Sequence, residues 1–168
     1  MCSKPTFLFV PGAWHLPAYF DPLIAYCSAH GYPSVAVTLP AVNSSPAVTS
    51  LQPDVDTVAA ALAALLNGGS DVVVVMHSYG GMVGTDAVGR AVKELADADG
   101  NYGSNTFARI RRLVYVAARV PLEGQTILNM MDGAIIEGPH PPQHHITTEV
   151  GIVYSLPIML GIFGSILF

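Results

Sequence analysis

Residues 72–81 read VVVVMHSYGG, a run of β-branched side chains that ends abruptly in a histidine, a serine and two glycines. Four consecutive valines are too short a run for a helix and are rich in strand-favouring side chains, as in a strand covered on both faces. Asp71 and the preceding Asn67-Gly68-Gly69-Ser70 close the segment before it. Small residues at Gly80 and Gly81 allow a tight strand-to-helix turn, in which the serine takes a strained backbone conformation and its hydroxyl stands clear of the sheet. The backbone N–H of Tyr79 would then face a tetrahedral oxyanion. One position departs from the G-x-S-x-G pattern: Met76 stands two residues before Ser78, where the first glycine belongs, and is expected to crowd the turn.

A second short apolar strand, residues 6–10, runs into Pro11-Gly12-Ala13-Trp14-His15. Gly12 and Ala13 permit a bend that exposes backbone N–H groups, and a nucleophile of this type needs a second donor from such a loop. His15 is open to two roles, catalytic base or pocket wall. Its place before the nucleophile, in a loop that shapes the pocket, favours the wall. His77 is read as a neighbour of the nucleophile in the pocket rather than its base.

Between these motifs the chain alternates strand and helix. Phe20, Leu23, Ile24 and Cys27 recur at spacings of three and four, predicting a helix over 17–30 that stops at Gly31. A strand over 34–38 is followed by a polar loop over 41–50. Pro53, Asp54 and Asp56 suit a helix start, because proline has no N–H to lose and carboxylates favour the positive end. Val55, Val58, Leu62, Leu65 and Leu66 supply its apolar face. A helix from about Tyr79 to Ala96, a polar loop over 97–108 and a strand over 112–117 complete the series, with Arg109, Arg111 and Arg112 as the solvated start of that strand. This βαβ rhythm implies an α/β fold, a mostly parallel sheet with helices on both faces.

VPGAWH, Tyr19-Phe20, the Asn43-Ser44-Ser45 stretch, HSYGG and VYVAARVPLEGQ, in that order, resemble the α/β-hydrolase superfamily over roughly residues 5–135. The branch is that of plant methylesterases, hydroxynitrile lyases and small fungal and bacterial esterase-like proteins. The resemblance implies a partial α/β-hydrolase fold with strand order 34–38, 6–10, 72–76, 112–117. It implies Ser78 as nucleophile, and Tyr79 together with Ala13 or Trp14 as oxyanion donors. The expected substrate is a small-molecule ester or amide, cleaved by acyl transfer. Trp14, Tyr19 and Phe20 are open to two readings, apolar pocket or core. No cofactor is implied.

The rest of a triad is not found. In this fold an acid and then a histidine follow the serine on later strand ends, and no further strand is legible after residue 117. Residues 1–135 are therefore read as the N-terminal part of the domain, reaching into the start of a lid, and the chain as a C-terminally incomplete member. Residues 136–168 hold a His/Pro-rich stretch and an apolar tail. The prolines of HPPQHH, residues 140–145, deny it a helical repeat that would converge the rings on a metal, so no metal site is expected. Residues 150–168 carry no charge, and as a helix would span about 28 Å, close to a bilayer core of roughly 30 Å. Three accounts of that tail stay open: a membrane span, a soluble core helix, or an end read into non-coding sequence.

Bulk properties set outer bounds. The 168 residues suit one domain, and 51% hydrophobic against 11% charged residues indicates a globular chain with an apolar bias. A formal charge of −5 leaves no basic footprint for nucleic acid. Cys2 and Cys27 have no metal spacing and announce no disulfide scaffold. Five apolar residues before Pro11 are too few for a signal peptide, so the cytoplasm is expected, with membrane association through 150–168 as the alternative. Oligomeric state is not legible. An inactive ligand-binding module of the same fold is the alternative to a serine hydrolase.

Overall fold

The structure, a computed structural model, describes residues 4–99 and 109–118. Four strands form one parallel sheet: β1 (Thr6–Val10), β2 (Ser34–Ala36), β3 (Val72–His77) and β4 (Ile110–Val116), in the spatial order β2-β1-β3-β4. This is the predicted order. Three helices connect them: α1 (Asp21–Ala29), α2 (Gln52–Asn67) and α3 (Gly80–Asp99). The chain steps from β1 outward to β2, then crosses back to lay β3 on the other side of β1. The direction of winding therefore reverses between β1 and β3, and a crevice opens at their carboxyl ends.

Both faces of the two central strands are covered, which is why β1 and β3 read as unbroken apolar runs. Alternation along the strands divides the core into two layers. Leu8, Val10, Val72, Val74 and Met76 pack against Val55, Val58, Ala59, Leu62 and Leu66 of α2 and Val83, Ala87 and Ala91 of α3. Phe7, Phe9, Val73 and Val75 face the opposite way, toward Phe20, Leu23 and Cys27. Phe20 belongs to this second layer, its ring stacked 4.9 Å from that of Phe9, so it is core and not pocket.

Several boundaries differ from those predicted. The first turn of the 17–30 segment is a separate 3-10 turn over Pro17–Phe20, and α1 begins at Asp21 with Pro22 in its first turn, where a missing N–H is harmless. β2 closes at Ala36, although the Val37 N–H still donates to the Phe9 carbonyl at 3.1 Å. α3 continues past the expected stop at Ala96 to Asp99, because no glycine or proline stands between Ala96 and Gly100. β4 starts two residues early. Arg111 pairs with Asp71 at 2.7 Å and Arg109 donates to the Leu66 carbonyl at 3.0 Å, extending the strand across the basic cluster. One extra residue is absorbed by a register shift between Val72 and Val73, which pair with Ile110 and Arg112.

Met76 does not crowd the turn. Its side chain is fully buried and lies over Gly84, where an added Cβ would sit 2.5 Å from the sulfur. The space that the pattern provides at the first glycine is provided here by a glycine one helical turn into α3. Gly80 has a different role: a Cβ there would lie 2.5 Å from the Val10 carbonyl oxygen and 2.6 Å from that of Pro11. The neighbour at Gly84 is a flexible thioether, whereas at Gly80 it is backbone that cannot turn aside. Gly80→Ala is therefore expected to destabilise the fold by at least about 2 kcal/mol. Gly84→Ala should cost clearly less, because the gain of about 1 kcal/mol in helix propensity offsets part of the strain. Urea unfolding of the two variants checks the order.

Candidate active site

Among the described residues, three of the four non-glycine residues with positive φ follow the carboxyl ends of adjacent strands: Trp14 (φ 62°) after β1, Ser78 (φ 51°) after β3 and Ala117 (φ 45°) after β4. The fourth, Asn43, is of a type that tolerates this region. Each strained residue costs of order 1 to 3 kcal/mol and persists only where its surroundings over-determine it. Strain is thus concentrated along the edge where the winding reverses.

Ser78 is the first residue of the two-residue step, Ser78-Tyr79, from β3 to the start of α3 and is exposed. Its N–H donates to the Val116 carbonyl at 3.1 Å, which prolongs the β3–β4 ladder by one bond, and its carbonyl accepts from Gly81 at 3.0 Å. The backbone is held from both sides while the side chain faces outward. Gly12, from the loop after β1, packs directly on this turn: an added Cβ would lie 3.2 Å from Ser78 Cβ and 2.9 Å from His77 Nδ1. The two loops expected to meet do meet.

Backbone donors are available where they converge. The His15 N–H is taken by the Gly12 carbonyl at 3.2 Å. Among the described residues, the N–H groups of Ala13, Trp14 and Tyr79 have no hydrogen-bond partner. The side chain of Trp14 is 88% exposed and that of Tyr19 64%, so neither belongs to the core. Leu16, in the loop that carries Trp14, is also exposed.

The two histidines stand side by side. The rings of His15 and His77 are 5.3 Å apart and nearly perpendicular, and Tyr19 packs edge-on to His15 at 4.7 Å. His15 Nδ1 lies 2.7 Å from the Ala13 carbonyl, which can only accept, so Nδ1 carries the proton and the ring braces its own loop. Burial, and secondarily the neighbouring His15, hold the pKa of His77 below the usual histidine value.

Sequence reasoning missed one member of this arrangement. Asp54, read as a helix-start residue, is wholly buried. Its Oδ2 accepts the phenol of Tyr79 at 2.8 Å and its Oδ1 accepts the Ala41 N–H at 2.8 Å. Burial first, then the Asp54 hydrogen bond and charge, push the Tyr79 pKa upward, so the phenol keeps its proton. No one-dimensional signal links residues 25 apart on different elements.

Among the described residues no group of three or more His, Cys, Asp or Glu could hold a metal ion, and no helix is long and apolar enough to cross a membrane. The 140–145 histidines, the carboxylates after residue 118, the lid region and the 150–168 tail lie outside the described residues.

The model of the alpha/beta hydrolase family matches residues 7–160. A probable hydrolase, R7, from a Phoma species is 34% identical over 134 residues, covering 78% of this chain and 49% of that protein. The alpha/beta hydrolase nvfD of Aspergillus novofumigatus is 30% identical over 129 residues, covering 77% and 49%. The chain spans about half the length of these curated relatives. Among solved structures, an extracellular alpha/beta-hydrolase from a Paenibacillus species superposes with a TM-score of 0.55 at 18% identity, covering 75% of this chain and 46% of that one. Tomato methylketone synthase I complexed with 2-tridecanone gives a TM-score of 0.56 at 17% identity, covering 90% and 54%. The sheet order, the helices on both faces and these matches together make the chain a member of the alpha/beta hydrolase family.

Proposed function

We propose that the chain carries the nucleophile and oxyanion half of a serine hydrolase that cleaves a small ester or amide by acyl transfer. The observation that carries this is the strained, exposed Ser78 with Gly12 packed against its turn. Ser78 Oγ attacks the carbonyl carbon of the substrate and loses its proton to a base. The negative charge that develops on the carbonyl oxygen is met by the N–H of Tyr79 and by that of Ala13 or Trp14. Fixed dipoles of this kind need no reorganisation as the charge appears. The exposed side chains of Trp14, Leu16 and Tyr19 suit an ester with an apolar acyl or alcohol part. His15 and His77 then line the pocket.

Purified full-length chain is expected to hydrolyse short aryl esters, and Ser78→Ala to lower kcat on the order of 10³-fold or more. Equal rates for the two proteins rule out catalysis by this serine. Gly12→Ala drives a methyl group toward Ser78 and His77, and should lower kcat/KM by about 10-fold or more while the protein stays folded.

His77 gives a stability test of the same packing. Its folded pKa lies below the unfolded value of about 6.5. The neutral ring therefore fits the fold above that value, and stability is lost as pH falls from there through the folded pKa. The melting temperature should drop between about pH 7.5 and about pH 5, and should drop less in His77→Asn. Parallel curves for the two proteins contradict burial of a neutral ring.

A further inference from the structure

Besides the Gly81 N–H on its own carbonyl, the peptide that follows Ser78 is held at three points, and only two of them belong to the turn itself. On one side the Ser78 N–H is bonded to Val116. On the other, the Tyr79 carbonyl accepts from Met82 at 3.0 Å and from Val83 at 3.4 Å, in the first turn of α3. The third point is the side chain: the phenol of Tyr79 reaches Asp54, on a helix otherwise remote from the turn in sequence. Asp54 is itself immobilised. It sits in the first turn of α2, with its N–H on the Leu51 carbonyl and its second oxygen on Ala41.

A wholly buried carboxylate is a costly way to join two elements. Desolvating it costs several kcal/mol, and apolar side chains of similar volume would pack α2 on α3 at least as well. What a carboxylate does that an apolar pair cannot is fix a direction. With one oxygen held by a backbone N–H, the other defines where the phenol, and hence the Tyr79 ring and α-carbon, must lie.

We propose that Asp54 is a positioning residue for the oxyanion donor, acting through the Tyr79 phenol to aim the peptide N–H that follows Ser78. This rests on the serine-hydrolase assignment. Asp54 touches neither substrate nor nucleophile, so its removal changes how well the donor is aimed, and with it the rate of attack, more than the binding of substrate.

The test is the labelling rate of Ser78 in the full chain by an alkyl fluorophosphonate, in which the Oγ–P bond forms as the P–F bond breaks and the serine proton leaves with fluoride. Tyr79→Phe and Asp54→Ala are expected to label about 10-fold more slowly or worse, through the maximal rate rather than the half-saturating concentration. Asp54→Asn, whose amide can accept from Ala41 and donate to the phenol oxygen, should recover most of the rate. Tyr115→Phe is the matched control. It also loses a phenol hydrogen bond, 2.9 Å to Thr85, and should label like the unaltered chain. Tyr79→Phe is the mildest change and serves if Asp54→Ala does not fold. If Tyr79→Phe melts lower but labels at the unaltered rate, Asp54 is structural and the proposal is overturned alone. If the unaltered chain does not label at Ser78, the hydrolase assignment falls and this proposal with it.

Discussion

A single missing methyl group, at Gly80, lets the first turn of α3 rest against the carbonyl oxygens of Val10 and Pro11, at distances no side chain could share. That contact joins two strand ends separated by some 70 residues of chain. It sets the height of α3 above the sheet, and with it the position of Ser78 at the end of β3. Gly12 completes the approach from the other side. Because these contacts are with backbone, the Ser78 β-carbon and the His77 ring, the junction has little freedom to relax, and the strained conformation of Ser78 is held by this geometry as well as by its own hydrogen bonds. The N–H of Ser78 couples it to Val116, next to the equally strained Ala117. Two of the high-energy residues are thereby tied to one ladder, and the cost of both is borne by β3, which is buried up to Met76.

The same junction explains how a methionine can stand where the pattern asks for glycine. What the turn requires is room between strand and helix, and room is a property of a pair of facing positions. Met76 fills it from the strand side and Gly84 yields it from the helix side. An unbranched thioether suits such a gap, since its three rotatable bonds let it follow an irregular surface.

How much of this was legible follows from the range over which each feature is encoded. β1 and β3 declared themselves because a strand buried on both faces writes its burial into consecutive residues, and the turn after each is written in adjacent glycines. The strand order was legible from the family resemblance. Helix α2 showed its face through Val55, Val58, Leu62 and Leu66, which recur at the helical period. The ends were harder. α3 runs three residues past the expected stop, and β4 starts two residues early because Arg111 found Asp71, a partner 40 residues away. Phe20 could be assigned to core only once Phe9 was seen beside it. The bond between Asp54 and Tyr79 was illegible for the same reason: an aspartate in the first turn of a helix has an ordinary local explanation, and nothing local says that its carboxylate faces inward.

Electrostatics give the arrangement its chemical sense. In the proposed reaction a negative charge near the developing oxyanion would outweigh the small dipoles proposed to stabilise it, so the groups closest to Ser78 should be neutral or turned away. Burial keeps His77 uncharged, and burial together with Asp54 keeps the Tyr79 phenol protonated. Both oxygens of Asp54 are engaged, one by the Tyr79 phenol and the other by the Ala41 N–H. What remains at the tip of the turn is a hydroxyl and a set of outward N–H groups. Dipoles in a partly desolvated setting act through a lower effective dielectric than in water, so even partial charges at hydrogen-bond distance are worth several times their value in solution. Their benefit falls steeply with misdirection, because an N–H that is tilted away loses both distance and alignment. A site built from dipoles rather than full charges therefore depends on how rigidly its peptides are held, and the proposal assigns that rigidity at Tyr79 to a buried carboxylate on another helix.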